Sequence, residues 1–435
     1  MLDELERLLP AGRVPAAVFG DEDLYRRELR AVFARCWVFV AHESEIPVPG
    51  SFVRRKIGED GFIVVRNDSG GISVLFDACR HRGVQVCRAD AGRTKHFRCP
   101  YHGWIYDTRG RLLGAPEWTT ALEGMCREDN GLLPAAQIAT RHGLVFATLD
   151  AAAPSLDAYL GDMSWYLDLV FGLNEHGVEV LAPPQRFVID ANWKSAAENF
   201  CGDDYHLGTL HRSVWDVGAF PVSFQDDMTG YHIQAAPGHS LSLSMAVDGA
   251  GAGPEFYGLP GAVTATFGPE RVTPTQLAIA RRSRVFVGNV FPNFSVLAQP
   301  ATEDAGSHPA TGVLAFRTWQ PLGPARMEVW SWFCAYRNMT EDEKRRSYRA
   351  ALGTVSVGGC FDMDDAEPWI ATSHTGRSVA AGVLGLELNY QMGMRGTGRA
   401  RRADDWPGPG IAVTPRYEEG VQRNFFAFYS QMMRS

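Results

Sequence analysis

Residues 79–104 read CRHRGVQVCRADAGRTKHFRCPYHGW, and two cysteine and histidine pairs stand close together in this stretch, Cys79 with His81 and Cys99 with His102. One residue separates the first pair, two separate the second, and 17 lie between His81 and Cys99. Each pair is mixed, so two loops, each carrying one thiolate and one imidazole, can close over a metal centre from either side. A chain of 435 residues that is 45% hydrophobic can bury a sizeable core. Such a chain has no need of a disulfide scaffold.

Two thiolates plus two imidazoles fit a Rieske 2Fe-2S centre, in which two His replace two Cys on one iron. A Cys2His2 zinc site is the alternative, although zinc-finger spacing groups Cys with Cys and His with His. The other cysteines, Cys36, Cys87, Cys126, Cys201, Cys334 and Cys360, are scattered. They read mostly as small buried hydrophobes in a reducing compartment.

Outward from the ligand loops, the text from Phe39 to Asp150 holds short β-like runs (GFIVVRN, GISVLF, HFRCPYHGWIYD, GLVFATLD) between Gly, Asn and Asp turn signals. This predicts a small all-β domain. Trp104, beside the second loop, reads equally as buried packing or as a contact for a redox partner. DAAAPSLDAYLGD then reads as a linker feeding a helix, with Ser155 as N-cap and Asp157 in its first turn. Beyond Trp165, strand-like runs such as QRFVIDANWKS, SLSLSMAV, RVFVGNVFPNFSVL and MEVWSWFCAYR alternate with helical text such as EDEKRRSYRAALGTV. The fold class expected is α+β, an all-β 2Fe-2S domain inserted in a catalytic domain of antiparallel sheet covered by helices. The expected boundaries are 1–38 for a helical segment packing on the catalytic domain, 39–153 for the Rieske domain and 154–435 for the catalytic domain. The Gly-, Ala- and Pro-rich stretch from Gly249 to Gly268 is expected to be a mobile loop near the site entrance.

A net charge of -8 argues against nucleic acid as a bulk partner. Locally the sign reverses: between Cys79 and Arg111 stand eight basic residues (Arg80, Arg82, Arg88, Arg93, Lys95, Arg98, Arg109, Arg111) against Asp90 and Asp107. That balance suggests a docking surface for an acidic electron carrier. No apolar run reaches 18 residues and the start MLDELERLLPAGRVP is acidic, so neither a membrane span nor a secretory signal is expected, and the expected location is the cytoplasm.

A second constellation is AENFCGDDYHLGTLH, residues 197–211. Asp203 and His206 are three apart, which on a helix gives them one face. His211 lies five beyond His206, which on a regular helix turns it away, so both can reach one metal only if the helix distorts or ends between them. Gly208 suits such a break. Two imidazoles and a carboxylate would form a facial triad, leaving open positions on a non-haem Fe(II) for dioxygen. Asp203 can accept from the free ring N–H of an iron-bound His206 and fix its orientation.

Taken together, CRHRG, CPYHGW, the ENFxGDxYHxxxxH segment and the acidic stretch GGCFDMDDAEPW (358–369) resemble, in this order and across most of the chain, the large subunits of Rieske non-haem iron ring-hydroxylating oxygenases. The naphthalene, biphenyl and phenylpropionate dioxygenase branch is the most similar. The resemblance implies Cys79 and Cys99 on one cluster iron, His81 and His102 on the other, and His206, His211 and Asp365 on a mononuclear iron, with Asp364 as the fallback third ligand. Asp203 would link the iron histidine to a cluster histidine of a neighbouring subunit, with Asn199 near the iron and Tyr205 packed beside it. A substrate pocket is implied at Phe200, Asp204, Leu207 and Phe291, and further at Phe294, Val355 and Phe361. Asp204 departs from the small or apolar residue of the hydrocarbon-oxidising relatives, and would face either a polar substrate group or solvent. Arg281, Arg282 and Arg284 read as surface charges, leaving no convincing arginine for a carboxylate substrate.

The implied activity is O2-dependent cis-dihydroxylation of an aromatic substrate. Electrons would come from NADH through a ferredoxin and/or reductase, and the assembly would be a trimer of these subunits, with or without three β subunits. No nicotinamide or flavin motif stands in this chain, so the reductase is a separate protein. A Rieske monooxygenase or demethylase carries the same metals and is the main alternative. A purely electron-transferring Rieske protein is the other, but it would not need the second constellation, and the respiratory type has extra loop cysteines that are missing here.

Overall fold

The computed structural model describes residues 1–223, 228–245, 254–304, 309–396 and 398–434. The chain divides into two compact units, Phe33–Leu156 and a second built from Met1–Val32 with Asp157–Ser435. Among the described residues no helix is long and apolar enough to cross a membrane.

The first unit is made of small antiparallel sheets. Val38–His42, Leu144–Thr148 and Gln137–Arg141 form one, while Ser51–Ile57, Asp60–Arg66 and Ile72–Phe76, joined by Ala91–Arg93, form another. A third, His96–Arg98 with Ile105–Asp107 and Leu112–Gly114, carries the second ligand loop at its first turn. The turn closes because Cys99 N–H donates to Trp104 O and Gly103 N–H to Cys99 O, and Gly103 has a positive φ of 72° that suits glycine. The first ligand loop closes the same way: Gly83 N–H donates to Cys79 O and Cys79 N–H to Val84 O.

The second unit is organised on a ten-stranded antiparallel sheet. We number its strands β1 (Val178–Val180), β2 (Gln185–Ile189), β3 (Gly230–Ala236), β4 (His239–Met245), β5 (Ser283–Val290), β6 (Phe294–Ala301), β7 (Thr311–Gly323), β8 (Arg326–Tyr336), β9 (Arg401–Arg402) and β10 (Ile411–Thr414). Their order is β1-β8-β7-β6-β5-β4-β3-β10-β9, with β2 also on β8. Nearly every residue of β6, β7 and β8 is buried, which requires cover on both faces rather than the half-exposed alternation of an open sheet. The run RVFVGNVFPNFSVL, read as one strand, is two, β5 and β6, joined by a tight turn at residues 291–293. QRFVIDANWKS is likewise a strand followed by helix α1 (Trp193–Asn199), whose N-cap Asn192 accepts from Lys194 N–H. The short helix at Leu156–Leu160 starts directly after Ser155.

Two helices hold the cavity wall. Helix α2 (Glu341–Thr354) starts with a capping box: Thr340 Oγ1 accepts from Glu343 N–H, and Glu343 Oε2 accepts from Thr340 N–H at 2.8 Å. It ends at Val355. Gly359 then permits a sharp turn into helix α3 (Cys360–Gly376), since a Cβ there would lie 2.5 Å from the Thr354 carbonyl. Along α3, Asp362, Asp365 and Trp369 are buried, at i, i+3 and i+7, so they define its inward stripe.

Of the Gly249–Gly268 stretch, residues 249–253 lie outside the described residues. In the remainder, Phe256 and Tyr257 are packed in the interior: both are buried and the Tyr257 hydroxyl donates to Leu169 O.

In the same unit Glu28 is completely buried and accepts from Lys194 Nζ, from Trp193 Nε1 at 2.7 Å and from the Tyr429 hydroxyl at 2.6 Å. Removing one member of such a pair strands the other charge. Glu28→Ala is therefore expected to destabilise the chain by about 3–5 kcal/mol, read as a lowered urea midpoint, and a midpoint equal to that of the native chain would refute a structural role for the pair.

Candidate active site and metal centres

In the first unit Cys79 and Cys99 are buried, whereas His81 and His102 are partly exposed. The two His Nδ1 atoms face each other at 3.1 Å. Burial raises the Cys79 thiol, with Cys99 beside it adding to the effect. The Tyr106 hydroxyl lies 3.2 Å from Cys79 Sγ and accepts from Arg80 N–H. Trp104 resolves as buried packing, with its ring stacked on His81 at 5.0 Å between centroids and 2° between planes.

Among the described residues, one set of three or more His, Cys, Asp or Glu side chains brings its ligand atoms within 4.8 Å of one another, as one ion requires, and it is not the Cys and His pairs. Cys79, Cys99, His81 and His102 supply the two thiolates and two imidazoles that a Rieske 2Fe-2S cluster takes.

The set that does converge is His206, His211 and Asp365. His206 Nε2 and His211 Nε2 are 3.1 Å apart, and Asp365 Oδ1 stands 3.5 and 3.2 Å from them. Asp365 Oδ1 is buried and has no hydrogen-bond partner among the described residues, a stranded anion that a cation would satisfy. Burial disfavours a charged His206, yet the hydrogen bond and charge of Asp203, with Asp365 and Asp204, raise its pKa to about 9. The local field therefore favours positive charge at this point.

Each imidazole also has a carboxylate behind it, in hydrogen-bond contact at His211 and at ion-pair distance at His206. Asp203 Oδ2 is 3.3 Å from His206 Nδ1, and Asp364 Oδ2 is 3.2 Å from His211 Nδ1. A carboxylate accepting from Nδ1–H leaves Nε2 free for a metal and raises its basicity. The neighbouring acids of α3 thus have different placements: Asp365, on the buried stripe, faces both Nε2 atoms, while Asp364 backs His211.

The local backbone differs from the expected distorted helix. Asp203 lies in a non-helical segment after α1, and a single helical turn, Leu207–Leu210, has His206 and His211 as its two caps. Both rings reach one point because they flank that turn, and Gly208 sits inside it rather than at a break. Gly202, at φ 128°, provides the reversal, and a Cβ there would crowd Ser242 at 3.2 Å.

These groups open onto a cavity of about 660 Å³ of empty space, part of it open to solvent. Phe200, Asp204, Leu207, Val355 and Phe361 all line it, as does Asn199. Phe361 sits edge-on to His211 at 4.9 Å. Two expected pocket residues are elsewhere: Phe291 packs against Phe425 and Phe428, and Phe294 against Phe316, both in the core. Phe291 opens the β5–β6 turn and Phe294 follows it. Tyr205 is 66% exposed and does not pack beside the iron site.

Asp204 borders the cavity, but its carboxylate is engaged by partners within the protein and not by solvent. It is 6% exposed; Oδ1 is 2.9 Å from Arg416 Nη1, while Oδ2 accepts from Ser242 Oγ at 2.5 Å and is 2.6 Å from His232 Nε2. Burial alone would raise its pKa, but Arg416, His232 and Ser242 hold it well below the usual carboxylate range. Sequence reading missed Arg416 and Arg317, both buried in the cavity wall, because each lies in strand-like or loop text remote from the motifs. Arg284, expected at the surface, is 2% exposed.

His232 is buried between Asp204 and Glu418, the latter at 3.5 Å from Nδ1. Burial lowers its pKa, yet the two carboxylates raise it to about 9. A histidine whose folded pKa is raised stabilises the fold fully below its unfolded value near 6.5, and that contribution is lost as pH rises through about 9. His232 is expected to contribute a fall of on the order of 3 kcal/mol in unfolding free energy between about pH 6.5 and 9.5, so the fall in His232→Gln should be smaller by that amount. Parallel pH curves for the two proteins would exclude the linkage.

Comparison with known proteins gives concordant findings. Residues 36–127 match the family model for the Rieske [2Fe-2S] domain, and residues 156–434 that for the ring hydroxylating alpha subunit, catalytic domain. The chain is similar to the N,N-dimethyl phenylurea N-demethylase subunit alpha of Sphingobium sp. (strain YBL2), at 38% identity over 100% of this chain and 94% of that protein. It is also similar to the biphenyl 2,3-dioxygenase subunit alpha of Rhodococcus jostii (strain RHA1), at 35% identity over 98% and 89% of the two chains. Among solved structures, naphthalene 1,2-dioxygenase from Rhodococcus sp. bound to indole superposes with a TM-score of 0.93 at 41% identity, covering 100% of this chain and 99% of that one.

Proposed function

The chain belongs to the ring-hydroxylating alpha-subunit family, with a Rieske domain ahead of the catalytic domain, and from that premise we propose that it is the terminal oxygenase of an aromatic cis-dihydroxylating system. The observation that carries this reading is the convergence of His206, His211 and Asp365 at one end of a largely apolar cavity, in a chain that also holds a 2Fe-2S site. Bound at those residues, a mononuclear Fe(II) supplies open positions for dioxygen, and the 2Fe-2S cluster supplies electrons.

The chain's own residues do the rest. Cys79 and Cys99 hold the buried side of the cluster site and His81 with His102 its partly exposed side. Asp203 and Asp364 keep the Nε2 atoms of His206 and His211 turned toward Asp365. Phe200, Leu207, Val355 and Phe361 offer carbon surface to a flat ring and limit water beside it. All eight basic residues between Cys79 and Arg111 are exposed, which favours an acidic ferredoxin or reductase as the electron donor. The Asp203 side chain is itself 36% exposed. That exposure suits a role in which Asp203 bridges to His102 of a neighbouring subunit in a trimer, with or without β subunits.

The second reading is oxidative N-demethylation of an aromatic substrate, favoured by whole-length similarity to a phenylurea N-demethylase. Product analysis under labelled dioxygen separates the two. Two labelled atoms in a cis-diol are expected, whereas one labelled atom or released formaldehyde would replace the main reading with the second.

A further inference from the structure

His211 caps the short helix Arg212–Asp216, and Trp215 stands four residues beyond it, one turn on and on the same side. The indole is therefore set about 6 Å along from the iron ligand, and like that ligand it lines the cavity. Its ring is edge-on to Phe220 at 5.6 Å and to Phe361 at 6.4 Å, and those two rings are edge-on to each other at 5.9 Å. The three aromatic rings form one wall, which packs against Val285 and Val287 of β5. There it meets the cavity floor, one face of β5, β6 and β7, where Leu297 pairs with Val287 and Ala315 and where Gln299 and Arg317 lie farther along.

The wall is fixed rather than adjustable. Trp215 Nε1–H donates to Val222 O at 2.8 Å, and swinging the indole aside would break that bond within an apolar cluster. The chain between the two residues is itself tied down. Gly218, at φ 72°, turns back with its N–H on Trp215 O, Ala219 N–H donates to Val214 O, and Ala219 O accepts from Thr302 Oγ1 at 3.2 Å. Trp215, Phe361 and Val287 remain partly exposed, with Phe220 and Val285 buried behind them. Because Val222 engages the one polar atom of the indole, the wall offers carbon to the cavity. Aromatic rings in contact keep their centroids roughly 4.5–7 Å apart. The indole is thus within contact range of a ring set beside the iron, and no further ring fits between them on that side.

We infer that Trp215 is the end stop of the substrate cavity: it fixes how far a fused ring system extends past the iron on the His211 side, and so selects arenes of one or two rings over three-ring ones. The inference rests on reading the cavity as the site of an aromatic oxygenase, and it narrows the class of substrate for that site. A two-ring arene runs away from Trp215 along the floor of β5 and β6, whereas a three-ring arene placed by any but its end ring runs into the indole. Trp215 is then a specificity-determining residue, one that sequence reading did not single out.

Equilibrium dialysis with radiolabelled naphthalene and phenanthrene, on the iron-loaded holoenzyme without an electron donor, measures affinity without turnover. A third ring carries more apolar surface and on hydrophobicity alone binds tighter. Naphthalene is nevertheless expected to bind the native protein at least as tightly as phenanthrene. In Trp215→Leu the phenanthrene-to-naphthalene affinity ratio is expected to rise by at least about tenfold, and in Trp215→Phe, which serves should the leucine variant not fold, by a smaller factor. A native protein that already prefers phenanthrene overturns the inference. So does a ratio unchanged in whichever variant folds, or an equal loss of affinity for both arenes, which would make the indole a scaffold alone. Oxygenation of the bound arenes, followed separately, tests the parent reading: the expected shift in ratio without oxygenation of either arene would sink the proposed function and leave Trp215 as the end stop.

Discussion

Asp365→Ala is expected to lower the iron content from about three to about two per chain, to leave the 2Fe-2S spectrum intact and to abolish product formation. The expectation follows from the buried stripe of α3, which turns Asp365 toward both Nε2 atoms and leaves Asp364 behind the His211 ring. Asp364→Ala removes only the group that orients His211. Iron should still bind, with affinity or activity reduced by about 10–100-fold, the usual cost of losing such a supporting carboxylate. Iron quantitation on the two variants side by side decides the matter. The reverse pattern, iron lost with Asp364 and kept with Asp365, would exchange their roles.

Asp203→Ala should give the second large effect, and a different one. Its carboxylate stands 3.3 Å from His206 Nδ1 and does not face the triad centre, so iron is expected to remain while turnover falls by about 10–100-fold or more. Asp203→Asn, which can still accept a hydrogen bond but carries no charge, should lie between the two. If Asp203 also serves a neighbouring subunit, rapid-mixing oxidation of the pre-reduced cluster should slow in step with turnover. Full turnover in Asp203→Ala would remove it from the site's machinery, and loss of iron would recast it as a support for metal binding alone.

Much of this was legible in the residues because metal chemistry restricts both residue type and spacing. The mixed Cys and His pairs pointed to a 2Fe-2S cluster, and the match of residues 36–127 to the Rieske [2Fe-2S] domain bears that out over zinc. The β-rich first unit and the helix-covered antiparallel sheet of the second could be read from turn punctuation and from runs of β-branched and aromatic residues. Less legible was anything set by side-chain direction or by long-range contact. Phe291 and Phe294 share the composition of a pocket wall, but the turn between β5 and β6 sends them into the core. Asp204 reads as an exposed or substrate-facing acid until Ser242, His232 and Arg416, from strands and loops far along the chain, are seen to surround it. The reach of His211 depended on where a helix begins, and element boundaries are set by local turn chemistry that periodicity does not report. Arg317 and Gln299 lie in strand text that gives no sign of function, and only the shared face of β6 and β7 brings them to one cavity.

The most direct test of the central claim is iron and acid-labile sulfide quantitation on the purified chain, with low-temperature EPR of the dithionite-reduced protein. About three irons and two sulfides per chain are predicted, with a Rieske-type signal from the reduced cluster. Zinc in place of iron, or only two irons with no loss in Asp365→Ala, would contradict the pairing of a cluster with a mononuclear iron site.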